Sequence, residues 1–382
     1  MLSKFINLKS FNIKKNKKTI QKKLKFLIKE KNQLNQSLNQ TYQDKYDLKK
    51  IKGKKNFRLI GMGGSVLGSQ AIFNFLKKKI NKKFLFFNNL NSFQKLDKKE
   101  KFTNLIVSKS GNTLETILNA NILINKKDEN IFITENKSSY LLNLAHKLKA
   151  EIVYHNNFIG GRYSVLSEVG MLPAELMGLN PRKFRQFNNI VKNKKFLNLL
   201  IKNTAAILHY SKKKKYNSII INYDHKSNYL FQWYQQLVAE SLGKKGKGIL
   251  PIISTMPKDN HSVMQLYLDG FKNNFFTFFS CKEKDSNSLN KASLLNTHKK
   301  MGSYNLNDII LKQKNATENV FTNKNIPFRS FEISKRNEEV LGELFCYFIL
   351  ETILLGRSLN VNPFDQPSVE LIKKETKKQF KS

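Results

Sequence analysis

Between residues 57 and 155 the chain switches repeatedly between two hydrophobic periods. "FRLIGMGG" reads as a strand, "SQAIFNFLKK" as a helix, "KFLFFN" and "TNLIVSKSG" as strands, and "TLETILNANILI" as a helix. "NIFIT" follows as a strand, "SSYLLNLAHKLK" as a helix and "EIVYH" as a strand. Strands that alternate with helices lie parallel, because each helical connection recrosses the sheet and covers a face. Further on, "NSIIINY", "LFQWYQQLVAESLG", "KGILPIIST", "HSVMQLYLDG" and "FFTFFS" repeat the alternation. The expected fold class is therefore α/β, with two αβα sandwich domains, mainly parallel sheets and terminal helices.

The expected boundaries follow from the same patterns. Residues 1–50 form a lysine-rich, solvated helical segment, 51–180 the first domain, 181–335 the second, and 336–382 the closing helices. Within the first domain, "GGRYSVLSEVGMLPAELMG" is expected as a loop entering an amphipathic helix. No apolar run reaches the roughly 20 residues of a membrane span. "FCYFILETILLG" is short and carries Glu351. The basic N-terminus lacks the apolar core and cleavage site of a signal peptide, so no membrane partner is expected. Two distant cysteines, Cys281 and Cys346, suit a reducing cytoplasm.

The formal net charge is +40, but only seven of the 68 basic residues are arginine and the lysines run from end to end. A nucleic-acid surface would favour clustered arginine. No nucleic-acid partner is expected; small anions would still be drawn to such a surface.

Two strand-to-helix turns carry the chemistry. "GMGGSVLG" places Gly63, Gly64 and Ser65 at a helix start, where free N–H groups favour anions. It is not a dinucleotide fingerprint, since Val66 stands where glycine is needed and no acidic residue follows on the next strand. Nor is it a P-loop, since Ser69 and Gln70 replace the Lys-Ser/Thr pair. Taken alone, these glycines are also what a tight turn requires. One strand later, "VSKSGNTLET" offers Ser108, Lys109, Ser110 and Thr113 around Gly111, more donors than a helix cap uses. Together the two turns predict a phosphate cradle at the C-terminal edge of a sheet.

These motifs, with "GGRYSVLSEVGMLP", "QLVAESLGKKGKGILP", "DNHSVMQLYLDG" and "PFDQPSVELIKK", resemble the glucose-6-phosphate isomerase family over about residues 58–374, in the family's order. The first two motifs alone indicate sugar-phosphate binding; "ESLGKKGKG" and "NPFDQPSVE" are more specific to the isomerase. The resemblance implies the sugar-isomerase fold, no cofactor or metal, and a homodimer with shared active sites. It implies interconversion of glucose 6-phosphate and fructose 6-phosphate through a cis-enediol. Such chemistry needs a base, a ring-opening acid, a cation near the enediolate and a phosphate anchor.

By residue type alone, Glu240 is a carboxylate near a helix end, His261 a polar residue near a helix start and Arg162 a rare arginine after Gly160 and Gly161. The resemblance makes Glu240 the proton-shuttling base and His261 the ring-opening group, supplied by the partner subunit. Glu115 would orient the histidine, and Arg162 would stabilise the enediolate, with Gly161 allowing close backbone approach. Gln366 would join Ser65, Ser108, Lys109, Ser110 and Thr113 on the phosphate. Lys373 would assist ring opening; the adjacent Lys374 offers the same charge, and Ser368 and Ile372 stand where the family has glycine. Broader specificity, for instance toward mannose 6-phosphate, stays open, as does a non-catalytic sugar-phosphate-binding regulator.

Overall fold

The computed structural model describes residues 4–13, 18–92, 100–283 and 285–380. The first unit is built on β2 (Asn56–Gly61), β3 (Lys83–Phe87), β4 (Thr103–Val107), β5 (Glu129–Thr134) and β6 (Glu151–Tyr154). They run in the order β3-β2-β4-β5-β6, with every neighbouring pair parallel. The central strand β4 is buried along its whole length, as a strand covered on both faces should be.

The second sheet has the order β1-β10-β9-β7-β8, made from β1 (Ile6–Lys9), β7 (Asn217–Asn222), β8 (Leu250–Thr255), β9 (Asn274–Cys281) and β10 (Phe328–Ile333). Its strands are parallel except β1, which closes the edge antiparallel to β10 with Ile6 opposite Ile333. The N-terminal segment is helical as expected, over Lys18–Lys29 and Gln33–Ser37, but it is packed rather than solvated and also supplies this edge strand. Ile6, Leu8 and Phe11, and Leu24 and Leu27 of the helix Lys18–Lys29, are buried in the main core. Part of that segment, residues 1–3 and 14–17, lies outside the described residues.

The helix Glu338–Ser358 runs through this core and is buried on nearly every side. No helix among the described residues is long and apolar enough to cross a membrane. Glu351 explains how an acidic residue sits there: Arg329 of β10 grips it with Nη1–Oε1 at 2.5 Å and Nη2–Oε2 at 2.9 Å, and Tyr347 donates to Oε1 at 3.0 Å. Both partners are essentially inaccessible, 0% and 1% exposed. Removing one strands the other in a low-dielectric core. Arg329→Leu is expected to cost about 3–5 kcal/mol in urea unfolding, while Arg329→Leu with Glu351→Leu recovers much of that loss.

The stretch after Arg162 also differs from expectation. The helix Glu168–Leu176 is not amphipathic, since all its residues but Glu175 are buried. Tyr42 donates to Glu168 Oε1 at 2.6 Å, which lets that carboxyl tolerate burial. Burial raises its pKa.

Candidate active site

In the first sheet the chain leaves β2 toward β3 on one side and β4 on the other, so the crevice at the carboxyl ends of β2 and β4 is the topological switch point. Both glycine turns open there. Gly64 needs to be glycine: a Cβ would stand 2.2 Å from the Gly161 carbonyl carbon and 2.5 Å from Arg162 N. At Gly63, in the left-handed region at φ +51, a Cβ would meet Gln236 Nε2 at 2.7 Å. The turn is therefore wedged between the Arg162 loop and the helix Asn228–Leu242. The Gly161 backbone is the surface that Gly64 meets, while a Cβ on Gly161 would itself meet nothing within 4 Å.

The neighbouring loop is tied from within. Ser108 is buried, its Oγ 2.9 Å from Thr113 Oγ1, and Gly111 N donates to Ser108 O at 3.1 Å. Gly111 adopts φ +63 over Ser139 Oγ, which a Cβ would approach to 2.0 Å. Ser110 is exposed, and Thr113 precedes the helix Leu114–Leu123 without using its side chain as a cap. Lys109 is committed elsewhere: its Nζ donates to Asn157 O at 2.9 Å and pairs with Glu135 at 3.2 Å. Beside this loop the buried His155 ring has its pKa pushed down to about 4 by desolvation.

Arg162 gathers the rest. Its side chain is 2% exposed, yet every nitrogen of the guanidinium donates. Nε reaches Ser241 Oγ at 2.8 Å; Nη1 reaches Glu240 Oε2 at 3.0 Å and Gln366 Oε1 at 2.7 Å. Nη2 reaches the carbonyls of Pro363 at 2.7 Å and Asp365 at 3.0 Å. Trp233 Nε1 in turn donates to Arg162 O at 3.1 Å. A planar, permanently charged fork suits this many acceptors, and a lysine would not. Glu240, 30% exposed, stands near the end of the helix Asn228–Leu242, one turn after Gln236, whose Nε2 donates to Oε1 at 2.9 Å. Of the two carboxylate oxygens, one is thus held by the arginine and the other by an amide.

Gln366, expected on the phosphate, is bonded to Arg162 at the carboxylate end. Sequence reasoning missed Ser241, Tyr163 and Lys244. Tyr163 OH shares Ser241 Oγ at 2.8 Å and donates to Pro363 O at 3.0 Å. Lys244, from the glycine turn after Glu240, donates to Ser241 O and Asn362 O and pairs with Asp365 at 3.3 Å. Desolvation lowers its pKa, outweighing the raising effect of its bond to Asp365. Its place in "GKKGKG", four residues after Glu240, was the available signal.

The remaining predicted residues stand apart. His261 is exposed at the end of the short turn Lys258–His261 beyond β8. Lys373 is exposed on the helix Val369–Gln379 and pairs with Glu370 at 2.6 Å. Glu115 is half-buried in the first turn of Leu114–Leu123. Among the described residues, no hydrogen bond or ion pair joins any two of these three.

Comparison with known proteins agrees with this architecture. The phosphoglucose isomerase family model matches residues 27–255. A glucose-6-phosphate isomerase of Methanocaldococcus jannaschii is 34% identical over 353 residues, covering 87% of this chain and 85% of the relative. One from Campylobacter jejuni is 31% identical, covering 83% of each chain. Among solved structures, a hypothetical protein of Thermus thermophilus superposes with TM-score 0.83 at 21% identity, covering 96% of this chain and 95% of that one. A glucose-6-phosphate isomerase of Chlamydia trachomatis gives TM-score 0.72 at 17% identity over 95% of this chain and 83% of that one. With the two parallel-sheet units, and with relatives above 30% identity along most of its length, the chain belongs to the phosphoglucose isomerase family.

Proposed function

We infer that the chain interconverts glucose 6-phosphate and fructose 6-phosphate by moving a proton between C2 and C1 through a cis-enediol. The observation that carries the reading is the Arg162–Glu240 pair beside the Gly64 turn, with the Ser108–Thr113 loop opening at the same sheet edge. Glu240 acts as the base. Its partial exposure leaves it open to substrate, and the bond from Gln236 fixes the carboxylate plane. The guanidinium of Arg162, already dehydrated, faces charge that develops on the enediolate oxygen. Ser65, Ser108, Ser110 and Thr113, with N–H groups of the two turns, hold the phosphate. Lys109 contributes as part of its pair with Glu135, and Gln366 braces Arg162 toward the substrate.

His261 and Lys373 open the sugar ring in this reading, and Glu115 orients the histidine. Their separation within one chain fits an active site completed by a second copy. The helix Val369–Gln379 supports this, since Leu371 and Ile372 on it are 66% and 71% exposed and no residue of the helix is buried. We therefore read the protein as a homodimer, with 51–180 and 181–335 as its two sugar-isomerase domains, the N-terminal strand completing the second. Sedimentation is expected to show a dimer, and a fully active monomer would overturn that part. A cytoplasmic setting belongs to the same reading, supported by two cysteines that are buried and free.

The direct test is a coupled assay. Fructose 6-phosphate is supplied and glucose 6-phosphate formation is followed, with mannose 6-phosphate run alongside. Conversion of the first substrate is expected; its absence in the purified dimer would sink the reading.

A further inference from the structure

Where the two units meet, a cavity of about 460 Å³ lies away from the site just described. It is lined by Lys78, Lys79, Lys226, Lys282, Lys335 and Arg336, against the two carboxylates Glu283 and Asp285. Its place in the fold is informative. Lys226 follows β7, Lys282 follows β9, and Lys335 and Arg336 follow β10, so the cavity sits at the carboxyl edge of the second sheet. There β7 has β8 on one side and β9 on the other, which makes this crevice the switch point of the second sheet, as the β2–β4 crevice is of the first.

The charges within it are unevenly satisfied. Arg336 is fixed by Glu283, from Nε at 2.6 Å, and by Asp224, from Nη2 at 2.6 Å. Its third nitrogen, Nη1, is buried and has no hydrogen-bond acceptor. A dehydrated guanidinium N–H without an acceptor is costly, and an oxyanion would satisfy it. Lys226 pairs with Glu283 at 3.0 Å. Lys79 is held by Glu338. Lys78 pairs with Asp285 at 3.3 Å, but the two side chains are 54% and 87% exposed, so water and salt screen that pair and an anion can replace it. Among the described residues, Lys282 and Lys335 have no carboxylate within ion-pair distance. Phe75 and Leu76 give the cavity an apolar side.

We propose that this cavity is a second anion site, taking inorganic phosphate or the phosphoryl group of a small phosphomonoester, distinct from the isomerase centre. Two helices separate them. Leu67–Phe75 begins at the Gly64 turn and ends at the cavity, and Asn228–Leu242 starts beside Lys226 and carries Glu240 near its far end. At 1.5 Å per residue the latter spans about 20 Å. The anion is held by Arg336 Nη1 with Lys282 and Lys335, and the Lys78–Asp285 pair opens to admit it.

The test is equilibrium binding of radiolabelled inorganic phosphate to the full-length protein at low and physiological salt. Lys282 and Lys335 are exposed, so K282E/K335E is expected to fold and to keep its isomerase kcat. It should bind one phosphate fewer per chain than wild type, or the same number with the second site weakened by at least about tenfold. A charge-matched control, K126E/K127E, on an exposed turn of the first unit, should bind as wild type does. Unchanged phosphate binding in K282E/K335E would overturn the proposal. So would an equal loss in the control, which would mark a diffuse effect of the +40 surface. The result is independent of the isomerase reading: a chain lacking the sugar-phosphate site would bind one phosphate in wild type and none in K282E/K335E.

Discussion

Replacing Glu240 by glutamine is expected to lower kcat by about 10²- to 10⁴-fold while fructose 6-phosphate still binds. The substitution keeps the shape of the side chain and removes its ability to take a proton. Gln236 Nε2 can still donate to the amide oxygen in place of Oε1. The other terminal atom becomes an NH₂ facing Arg162 Nη1, which had held Oε2 at 3.0 Å. That contact turns repulsive, but Glu240 is partly exposed and the arginine keeps its bonds to Ser241, Gln366 and two carbonyls. The fold should therefore survive, and circular dichroism and thermal unfolding should match wild type closely. Rates in the coupled assay, with substrate binding followed by calorimetry, separate the outcomes. Turnover within a few-fold of wild type would mean that the proton is carried by another group.

Some of this centre was legible in the sequence because its residues are rare or placed at turns. Arg162 stood out as one of seven arginines, behind two glycines, and it proved to be the organising residue. Gly64 and Gly111 were legible as turn residues, and close backbone or side-chain approach explains both. The succession of elements in the first unit followed from apolar strand runs, such as those of β4 and β5, alternating with helical patterns. Other features left no pattern to read. Strand β1 is four residues long, too short for a period of two to stand out among lysines. Tyr163 and Ser241 matter because a loop and a helix end meet, and sequence spacing does not encode a contact between positions 78 residues apart. Gln366 was identified but its bond to Arg162 was not, since a chain position does not say which side chain it will meet. Lys109 was legible as a charge on the turn but not as half of an ion pair, because its carboxylate partner, Glu135, comes from the end of the next strand.

Arg162→Lys should be damaging in a different way, in stability as well as in rate. Arginine places its donors in a plane, and here that plane meets five acceptors drawn from the helix end and from residues 363–366. An ammonium has three donors on one atom and cannot span both groups. The side chain is 2% exposed, but Tyr163 still serves Ser241 and Pro363 and water reaches Glu240, Asp365 and Gln366, so the loss of stability is about 1–3 kcal/mol in all. Lys244 still holds Asn362 O and Asp365, so the segment should stay attached while losing its registry with Glu240. The expected result is a fall in kcat/KM of about 10²- to 10³-fold, as when a preorganised donor is withdrawn from a developing oxyanion. It should come with a lowered unfolding midpoint, which the Glu240→Gln variant should not show. If Arg162→Lys lost stability but kept its rate, the arginine would be a brace for residues 363–366 and the enediolate would need another cation. Lys244, which pairs with Asp365 beside Arg162, could then be tested by the same pair of measurements.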